Sequence, residues 1–198
     1  MDIIVKYIDE LLEKSTPDAP MWNIEKIRQG LKSNWNYIDG VMIKAVLQMY
    51  DVTKDEKYLK FADDFIDYRV HEDGTIEGYS IGEKNIDNVN AGKTLFELYD
   101  LTGKEKYRKA IDLVYSQIEI MPRCNNEARS FWHKDIYPNQ VWLDGMYMGQ
   151  PFYLEYETKF NNRKNYPDIF AQFKYVIENM RNPLNGLYSV SYTHLTLP

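Results

Sequence analysis

Three aspartates stand at the starts of segments with helical periodicity, and each follows a loop: Asp39, Asp87 and Asp144. An aspartate beside the first turn of a helix commonly caps it, which stabilises the helix by about 1 kcal/mol. Capping is therefore the simplest role for any one of them. Two neighbouring carboxyl groups can instead act as an acid and a base, because their environments favour different protonation states. If the three helix starts converge, the aspartates form a cluster of carboxylates at one end of the helices.

The loop before Asp144 carries the most groups that could bind a substrate. Residues Phe131–Met148 read Phe-Trp-His-Lys-Asp-Ile-Tyr-Pro-Asn-Gln-Val-Trp-Leu-Asp-Gly-Met-Tyr-Met. Aromatic rings can cover the apolar faces of sugars, although they also fill protein cores. The binding candidates here are His133, Lys134, Trp142 and Met148. For the first two the alternative is an exposed loop pair, and for the last two it is core packing. Tyr37 is a weaker candidate, because a tyrosine near a helix start often packs.

An internal repeat indicates which elements position these residues. The nonapeptide Tyr50–Tyr58 is matched by Tyr99–Tyr107, with six of nine residues identical at an offset of 49. In each copy a helical run ends, a short turn follows, and Glu-Lys-Tyr opens the next helix with an acid in its first turn. A degenerate third copy lies at Tyr156–Phe160. The repeat therefore predicts helical hairpins in series.

Hydrophobic periodicity predicts seven amphipathic helices and no competing strands. Their ranges are 1–13, 36–50, 56–69, 87–101, 105–120, 143–160 and 166–180. Hairpins of this length stack into an open solenoid or close into a ring, with one helix of each pair inside. Small and polar residues at the starts of the second, fourth and sixth helices assign those three to the inside. Two long loops, 70–86 and 122–141, are expected to be functional.

The composition excludes several classes of protein. With 198 residues, 44% of them hydrophobic, the chain can bury a sizeable core and is expected to be soluble. Charges interrupt every apolar stretch well before the roughly 20 residues of a membrane span, and none of them resembles a signal core, so a cytoplasmic location is expected. The net charge of −6 without a basic cluster argues against nucleic acid as a partner. The lone Cys124 excludes an internal disulfide.

The segment that ends at Met148 resembles the unsaturated rhamnogalacturonyl hydrolases, glycoside hydrolase family 105. In that family a Phe-Trp-His-Lys loop leads into Trp-Leu-Asp-Gly-Leu-Tyr-Met, and Met146 replaces the leucine here. Asp87–Phe96 resembles the second acidic segment of the family, and Ser33–Gly40 resembles the start of its first inner helix. The resemblance extends over about residues 1–188. It implies an all-α fold, the (α/α)6 barrel, which is a ring of six helical hairpins.

The resemblance also implies an activity on oligosaccharides that carry a 4,5-unsaturated uronic acid at the non-reducing end. An acid protonates C4, water adds at C5, and the resulting hemiketal opens and expels the remaining saccharide. Asp144 is implied to deliver the proton and activate the water, with Asp87 as its paired acid. The implied substrate-binding residues are His133, Lys134, Trp142, Met148 and Tyr37. No cofactor and no metal are expected, because one histidine and two acids lack the dense spacing of zinc ligands.

About seven helices are predicted where six hairpins need twelve, so the resemblance implies a partial catalytic domain over 1–188, an open arc with little activity by itself. Residues 189–198 depart from the family pattern, and we expect them to be a non-family tail from a truncated or altered reading frame. His194 is accordingly not assigned to the family's histidine. Two other interpretations remain open: an unsaturated glucuronyl hydrolase with a similar acid pair, and a non-catalytic α-solenoid interaction module. The sequence does not define the oligomeric state.

Overall fold

The computed structural model describes residues 2–193, and helices dominate it. The α-helices are α1 Asp2–Glu13, α2 Ile24–Arg28, α3 Tyr37–Thr53, α4 Glu56–Asp67, α5 Lys93–Thr102, α6 Glu105–Ile120, α7 Leu143–Phe160 and α8 Tyr166–Met180. Three 3₁₀ helices cover Met21–Asn23, Ile81–Glu83 and Ile86–Gly92. Strand β1, Gln140–Trp142, pairs antiparallel with β2, Ser191–Thr193. Within the described residues, no helix has the length and apolarity to cross a membrane.

All seven predicted helices are present, and the repeat does form helix-turn-helix hairpins. The segment predicted as a helix from residue 87 begins instead as a 3₁₀ helix, and its α-helix starts at Lys93. The intervening Asn-Val-Asn-Ala-Gly sequence contains weak helix formers, which explains the late start. Helix α2 and the two strands were not predicted. Each has five residues or fewer, which is too short to show a period.

The two copies of the repeat turn in the same way. Lys54 and Gly103 occupy equivalent positions and take left-handed backbone conformations, with φ of 57° and 69°. The N–H of Lys54 donates to the carbonyl of Tyr50 at 2.7 Å, and that of Gly103 donates to Tyr99 at 2.8 Å. A left-handed residue that returns its N–H in this way is a common helix C-terminus. The repeated sequence thus specifies the turn as well as the helices.

The tyrosine that closes each copy makes an equivalent contact. The hydroxyl of Tyr58 donates to Asp9 Oδ1 at 2.9 Å, which joins α4 to α1. The hydroxyl of Tyr107 donates to Asp63 Oδ1 at 2.5 Å, which joins α6 to α4. Both tyrosine side chains are buried, so the hydrogen bonds satisfy their polar ends inside the protein. Helices α4 and α6 are therefore each tied to an earlier helix by a hydrogen bond from tyrosine to aspartate.

Residue contacts divide the chain into two compact units. The first comprises the chain up to Tyr79 together with Ala91–Ile111, and the second comprises Ser80–Asn90 together with the chain from Asp112 onward. The core of the first unit is formed by residues of α3, α4 and α5. Its fully buried side chains include Ile43, Val46, Leu47, Ala62, Leu95 and Leu98.

Asp39 is buried within the first unit and does not form part of an exposed acidic cluster. Only 3% of the residue is exposed. Its carboxylate accepts hydrogen bonds from Trp22 Nε1 at 2.7 Å and from Asn36 Nδ2 at 2.9 Å. Asn36, and not Asp39, is the N-cap of α3, since its side chain accepts from the Asp39 N–H at 3.0 Å. Asp39 therefore ties the 3₁₀ helix Met21–Asn23 to the start of α3.

The buried Asp39 predicts a pH-dependent contribution to stability. Burial raises the pKa of Asp39 to about 6, although its hydrogen-bond donors and Arg69 oppose the rise. Because the folded protein holds the proton more tightly than the unfolded chain, the stability that this proton supplies is present below about pH 4 and lost as the pH rises through about 6. Relative to Asp39→Asn, the wild-type free energy of unfolding should fall by about 3 kcal/mol over this range. Denaturant titrations of both proteins measure it, and a pH-independent difference would contradict the assignment.

Candidate active site

The second unit brings two of the three predicted aspartates together. Asp87 lies in the 3₁₀ helix Ile86–Gly92 and is 7% exposed, whereas Asp144 is exposed in the first turn of α7. One carboxylate oxygen from each aspartate and one ring nitrogen of His133 all lie within 4.8 Å of one another. Charges interact strongly at such a separation, which is well inside the Debye length of about 10 Å. The pair has the proximity that a shared-acid site requires.

Two basic side chains contact the carboxylate of Asp87. His133 Nε2 lies 3.4 Å from Asp87 Oδ1, and Lys134 Nζ lies 2.8 Å from Oδ2. Burial by itself would raise the pKa of Asp87, but the interactions with His133 and Lys134 outweigh it and hold that pKa below its ordinary value. Asp87 is therefore ionised at neutral pH. The two aspartates are not equivalent, because the buried one is a fixed anion and the exposed one faces solvent.

Backbone hydrogen bonds hold Asp87 beside its basic partners. The N–H of Ile86 donates to the carbonyl of His133 at 3.0 Å, and the N–H of Asp135 donates to Lys84 at 3.2 Å. Together they form an antiparallel bridge between the segment that precedes Asp87 and the loop that precedes α7. The bridge thus anchors the long loop 122–141 at the position of His133 and Lys134. Its ordered backbone explains why residues far apart in sequence meet.

Trp142 forms a wall beside the acid pair. Its indole is parallel to the His133 ring, with 4.3 Å between centroids and an interplanar angle of 2°. The ring of Tyr137 also stacks on Trp142, at 5.3 Å and 13°. Trp142 Nε1 donates to Gln140 Oε1 at 2.9 Å, which fixes the indole in its plane. Sequence reasoning missed Tyr137, and its only signal was an aromatic side chain within the loop that leads to the Trp142 strand.

The remaining candidates occupy different environments. Lys134 exposes 25% of its side chain, so its ammonium group can reach solvent while it contacts Asp87. Met148 lies one turn after Asp144 and is 8% exposed. This burial agrees with core packing as well as with an apolar side chain beside the substrate. Tyr37 is the first residue of α3 in the first unit and is 42% exposed. The interpretation of His194 concerns a residue outside the part of the chain that the structure describes.

Asp87, His133 and Asp144 are close enough to offer three ligands to a metal ion. The positive charge near Asp87 makes the set a poor fit for a divalent cation, because the ammonium group of Lys134 already lies 2.8 Å from one of its oxygens. A cation would have to share that carboxylate with a fixed positive charge. Function without a metal therefore stays our prediction.

Two glycines of α7 allow the helix to approach the Asp87 segment closely. A Cβ atom at Gly149 would lie 2.7 Å from both Cδ1 and Cγ1 of Ile86, the residue before Asp87. A Cβ atom at Gly145 would lie 2.9 Å from His133 Nδ1. Real Cβ atoms do not come so close to other atoms, so a larger residue would force the Ile86 side chain or the His133 ring to move.

Gly149→Ala is expected to lower the free energy of unfolding by about 1–3 kcal/mol, because it overpacks the contact with Ile86. Adding Ile86→Ala removes the two clashing atoms, so the double variant should be less destabilised than the sum of the single changes. Denaturant unfolding measures all three proteins. Gly82→Ala is the matched control, since its nearest neighbour would be Ser80 Oγ at 3.5 Å. Strictly additive losses would mean that the contact does not limit the approach of α7.

Comparison with known proteins identifies relatives over most of the chain. Residues 8–195 match the glycosyl hydrolase family 88. A solved family 105 glycoside hydrolase from C. acetobutylicum is 42% identical and superposes with a TM-score of 0.78 over 85% of this chain. This chain covers 47% of that structure, so it spans about half the length of the relative. The family 105 resemblance seen in the sequence is confirmed.

More distant matches support the fold. A family 105 candidate from Salmonella enterica is 20% identical, with a TM-score of 0.69, over 81% of this chain and 41% of that one. An α-1,6-mannanase of family GH76 from Salegentibacter is 16% identical, with a TM-score of 0.64, over 84% of this chain and 48% of that one. These matches confirm the predicted (α/α)6 barrel class, of which about half is present. The domain boundary at residue 188 stays a prediction.

Proposed function

The chain belongs to glycosyl hydrolase family 88, and on that premise we propose that the enzyme hydrates the 4,5 double bond of an unsaturated uronic acid at the non-reducing end of an oligosaccharide. The observation that carries the proposal is the pairing of an exposed Asp144 with a buried, ionised Asp87 within 4.8 Å. A non-catalytic solenoid gives no reason for such a pair. Hydration needs one group that first donates a proton and then accepts one, and a paired carboxyl group suits both steps.

In the proposed reaction the carboxyl group of Asp144 protonates C4 of the unsaturated ring. Its carboxylate then takes a proton from the water that adds at C5, so the enzyme ends as it began. The product is a hemiketal at C5, which opens to the 5-keto form and leaves a hemiacetal at C1. That hemiacetal collapses to the aldehyde and releases the remaining saccharide with the hydroxyl group whose oxygen had linked it to C1. Asp87 keeps its charge throughout, because Lys134 and His133 stabilise it.

The charge around the pair suits an acidic sugar. Lys134 is partly exposed, so its ammonium group can attract the carboxylate of the uronic acid while it pairs with Asp87. The rings of His133, Trp142 and Tyr137 form an aromatic stack next to these charges, and aromatic groups commonly lie beside the apolar faces of sugars. We propose a rhamnogalacturonan-derived substrate, because the 42% identical relative is of family 105. The glycosaminoglycan-derived unsaturated glucuronyl substrate is the alternative.

A chimera tests the proposal, because this chain spans about half of its relative. Residues 1–188 are joined to the C-terminal half of the C. acetobutylicum hydrolase, and turnover is followed as loss of absorbance of the conjugated unsaturated uronate. Lyase products of rhamnogalacturonan and of a glycosaminoglycan are compared. We expect faster turnover of the first, no loss of rate with a chelator, and little turnover by the 198-residue chain alone. A folded chimera that converts neither substrate would contradict the proposed function.

A further inference from the structure

A small cavity is lined in part by His133, and Asp87 is not among its lining residues. Its volume is about 10 Å³. A cavity of this size holds about one water molecule, provided that polar groups are available to bind it. The lining residues include Ile86, Trp132, His133, Gly145, Gln150 and Gln172.

Three of these lining residues have a buried polar atom without a hydrogen-bond partner among the described residues. The atoms are His133 Nδ1, Trp132 Nε1 and Gln150 Oε1. His133 and Gln150 are each only 2% exposed, so bulk water does not solvate them. An unsatisfied buried polar atom costs about 1–3 kcal/mol. Three such atoms around one cavity therefore indicate a shared ligand.

The orientation of the Gln150 amide follows from a backbone group. The N–H of Phe131 can only donate, and it does so to the side-chain oxygen of Gln172 at 3.0 Å. Gln150 Nε2 donates to the same oxygen at 3.0 Å. The amide of Gln150 is therefore not reversed, and its Oε1 remains available as an acceptor. Gln172 in turn donates to Asp168 Oδ2 at 3.1 Å, which keeps its own orientation fixed.

The proton position on His133 follows from Asp87. Nε2 lies 3.4 Å from Asp87 Oδ1, an oxygen without a hydrogen-bond partner among the described residues. Because an ionised carboxylate can only accept, the tautomer with the proton on Nε2 suits this contact. In the neutral ring Nδ1 is then an acceptor. A water molecule has two hydrogens to donate and can accept from others. It can therefore donate to both Nδ1 and Gln150 Oε1 and accept from the indole N–H of Trp132.

We propose that one buried water bridges His133 Nδ1 and Gln150 Oε1, and that Gln150 is thereby a positioning residue for the His133–Asp87 contact. The imidazole is then held on three sides, by Asp87 at Nε2, by the water at Nδ1 and by Trp142 on its face.

A crystal structure of the 198-residue chain at a resolution that shows ordered water tests the site directly. We expect one density peak about 2.7–3.2 Å from both His133 Nδ1 and Gln150 Oε1. No peak there, or a protein group bonded to Nδ1, would overturn the proposal. Because neither this measurement nor the next needs turnover, the outcome does not depend on the proposed hydrolase activity.

Nitrogen NMR of the histidine rings provides the second test. Gln150→Met keeps the side-chain length but removes the acceptor, so we expect loss of the water peak and a shift of the His133 Nδ1 resonance. Asn161→Leu is the control, since Asn161 is a half-buried amide of the same unit that donates hydrogen bonds to Tyr115 and Glu157. It should leave that resonance in place. Equal shifts in both variants, or no shift in either, would contradict the role of Gln150. If a variant does not fold, the presence or absence of the water peak in the wild-type crystal structure decides the question.

Discussion

Asp144→Asn in the chimera is expected to lower kcat by about 100- to 10,000-fold and to change KM little, because asparagine keeps the shape of the side chain but cannot donate the proton to C4. Initial rates from the loss of uronate absorbance give both constants. The effect should be the largest of any single substitution in the described site. Near-wild-type turnover by this variant would mean that another group delivers the proton.

Two further variants make this result specific. Asp87→Asn removes the fixed negative charge beside Asp144 and should slow the reaction and shift its pH optimum, which a purely structural role would not do. Asp135→Asn is the matched control, since Asp135 lies in the loop 122–141 that also carries His133 and Lys134. Its side chain is 48% exposed and forms a 3.7 Å ion pair with Lys84. Such exposed pairs contribute about 0–1 kcal/mol, so rate and stability should be little changed.

Glu157→Ala is expected to lower the free energy of unfolding by about 3–5 kcal/mol. Glu157 is fully buried on α7, and its carboxylate accepts hydrogen bonds at 2.8 Å from the Tyr115 hydroxyl, Asn161 Nδ2 and the Asn165 N–H. Alanine would leave these donors unsatisfied in the core. Denaturant unfolding measures the loss, with Glu155→Ala as the control on the same helix. The Glu155 side chain is 39% exposed, so its replacement should cost about 0.5 kcal/mol or less.

The pH dependence of the Glu157 contribution should have the opposite sign to that of Asp39. Burial acts to raise the pKa of Glu157, but hydrogen bonds, chiefly from Asn161 and Asn165, outweigh it and hold that pKa below its ordinary value. The stabilisation is therefore present above about pH 4.5 and is lost as the pH falls through the lower folded-state pKa. The difference between wild type and Glu157→Ala should shrink in acid. A difference that grows in acid would show that the carboxylate is not stabilised as a charge.

The helices and the three candidate aspartates could be predicted because both follow from short-range patterns, whereas the pairing of Asp87 with Asp144 was implied by the family resemblance. Amphipathic periodicity reports which face of a helix is buried, and the repeat reports how one hairpin turns. Asp87 and Asp144 were found because each stands at a helix start after a long loop. The same rule also selected Asp39, whose partner Trp22 lies 17 residues earlier and whose network leaves it buried.

Long-range contacts could not be predicted in the same way. No local pattern connects Gly149 with Ile86, or Gln150 with Gln172, because each pair meets only after the loop 122–141 and the helices have packed. Tyr137 was missed for the same reason, since its stacking on Trp142 depends on the path of the loop. Family resemblance supplied the roles of His133 and Lys134, and the structure then supplied their contact with Asp87.

The pairing of β1 with β2 has a consequence for synthesis of the protein on the ribosome. β1 ends at Trp142, immediately before the helix of Asp144, and the N–H of Leu143 donates to the carbonyl of Val190 at 2.8 Å. The start of α7 is therefore completed by residues that are translated some fifty positions later, after α8. While those residues are still in the exit tunnel, the nascent chain can hold its helices but lacks this support for the acid. The start of α7, which carries Asp144, therefore gains this support only late in synthesis.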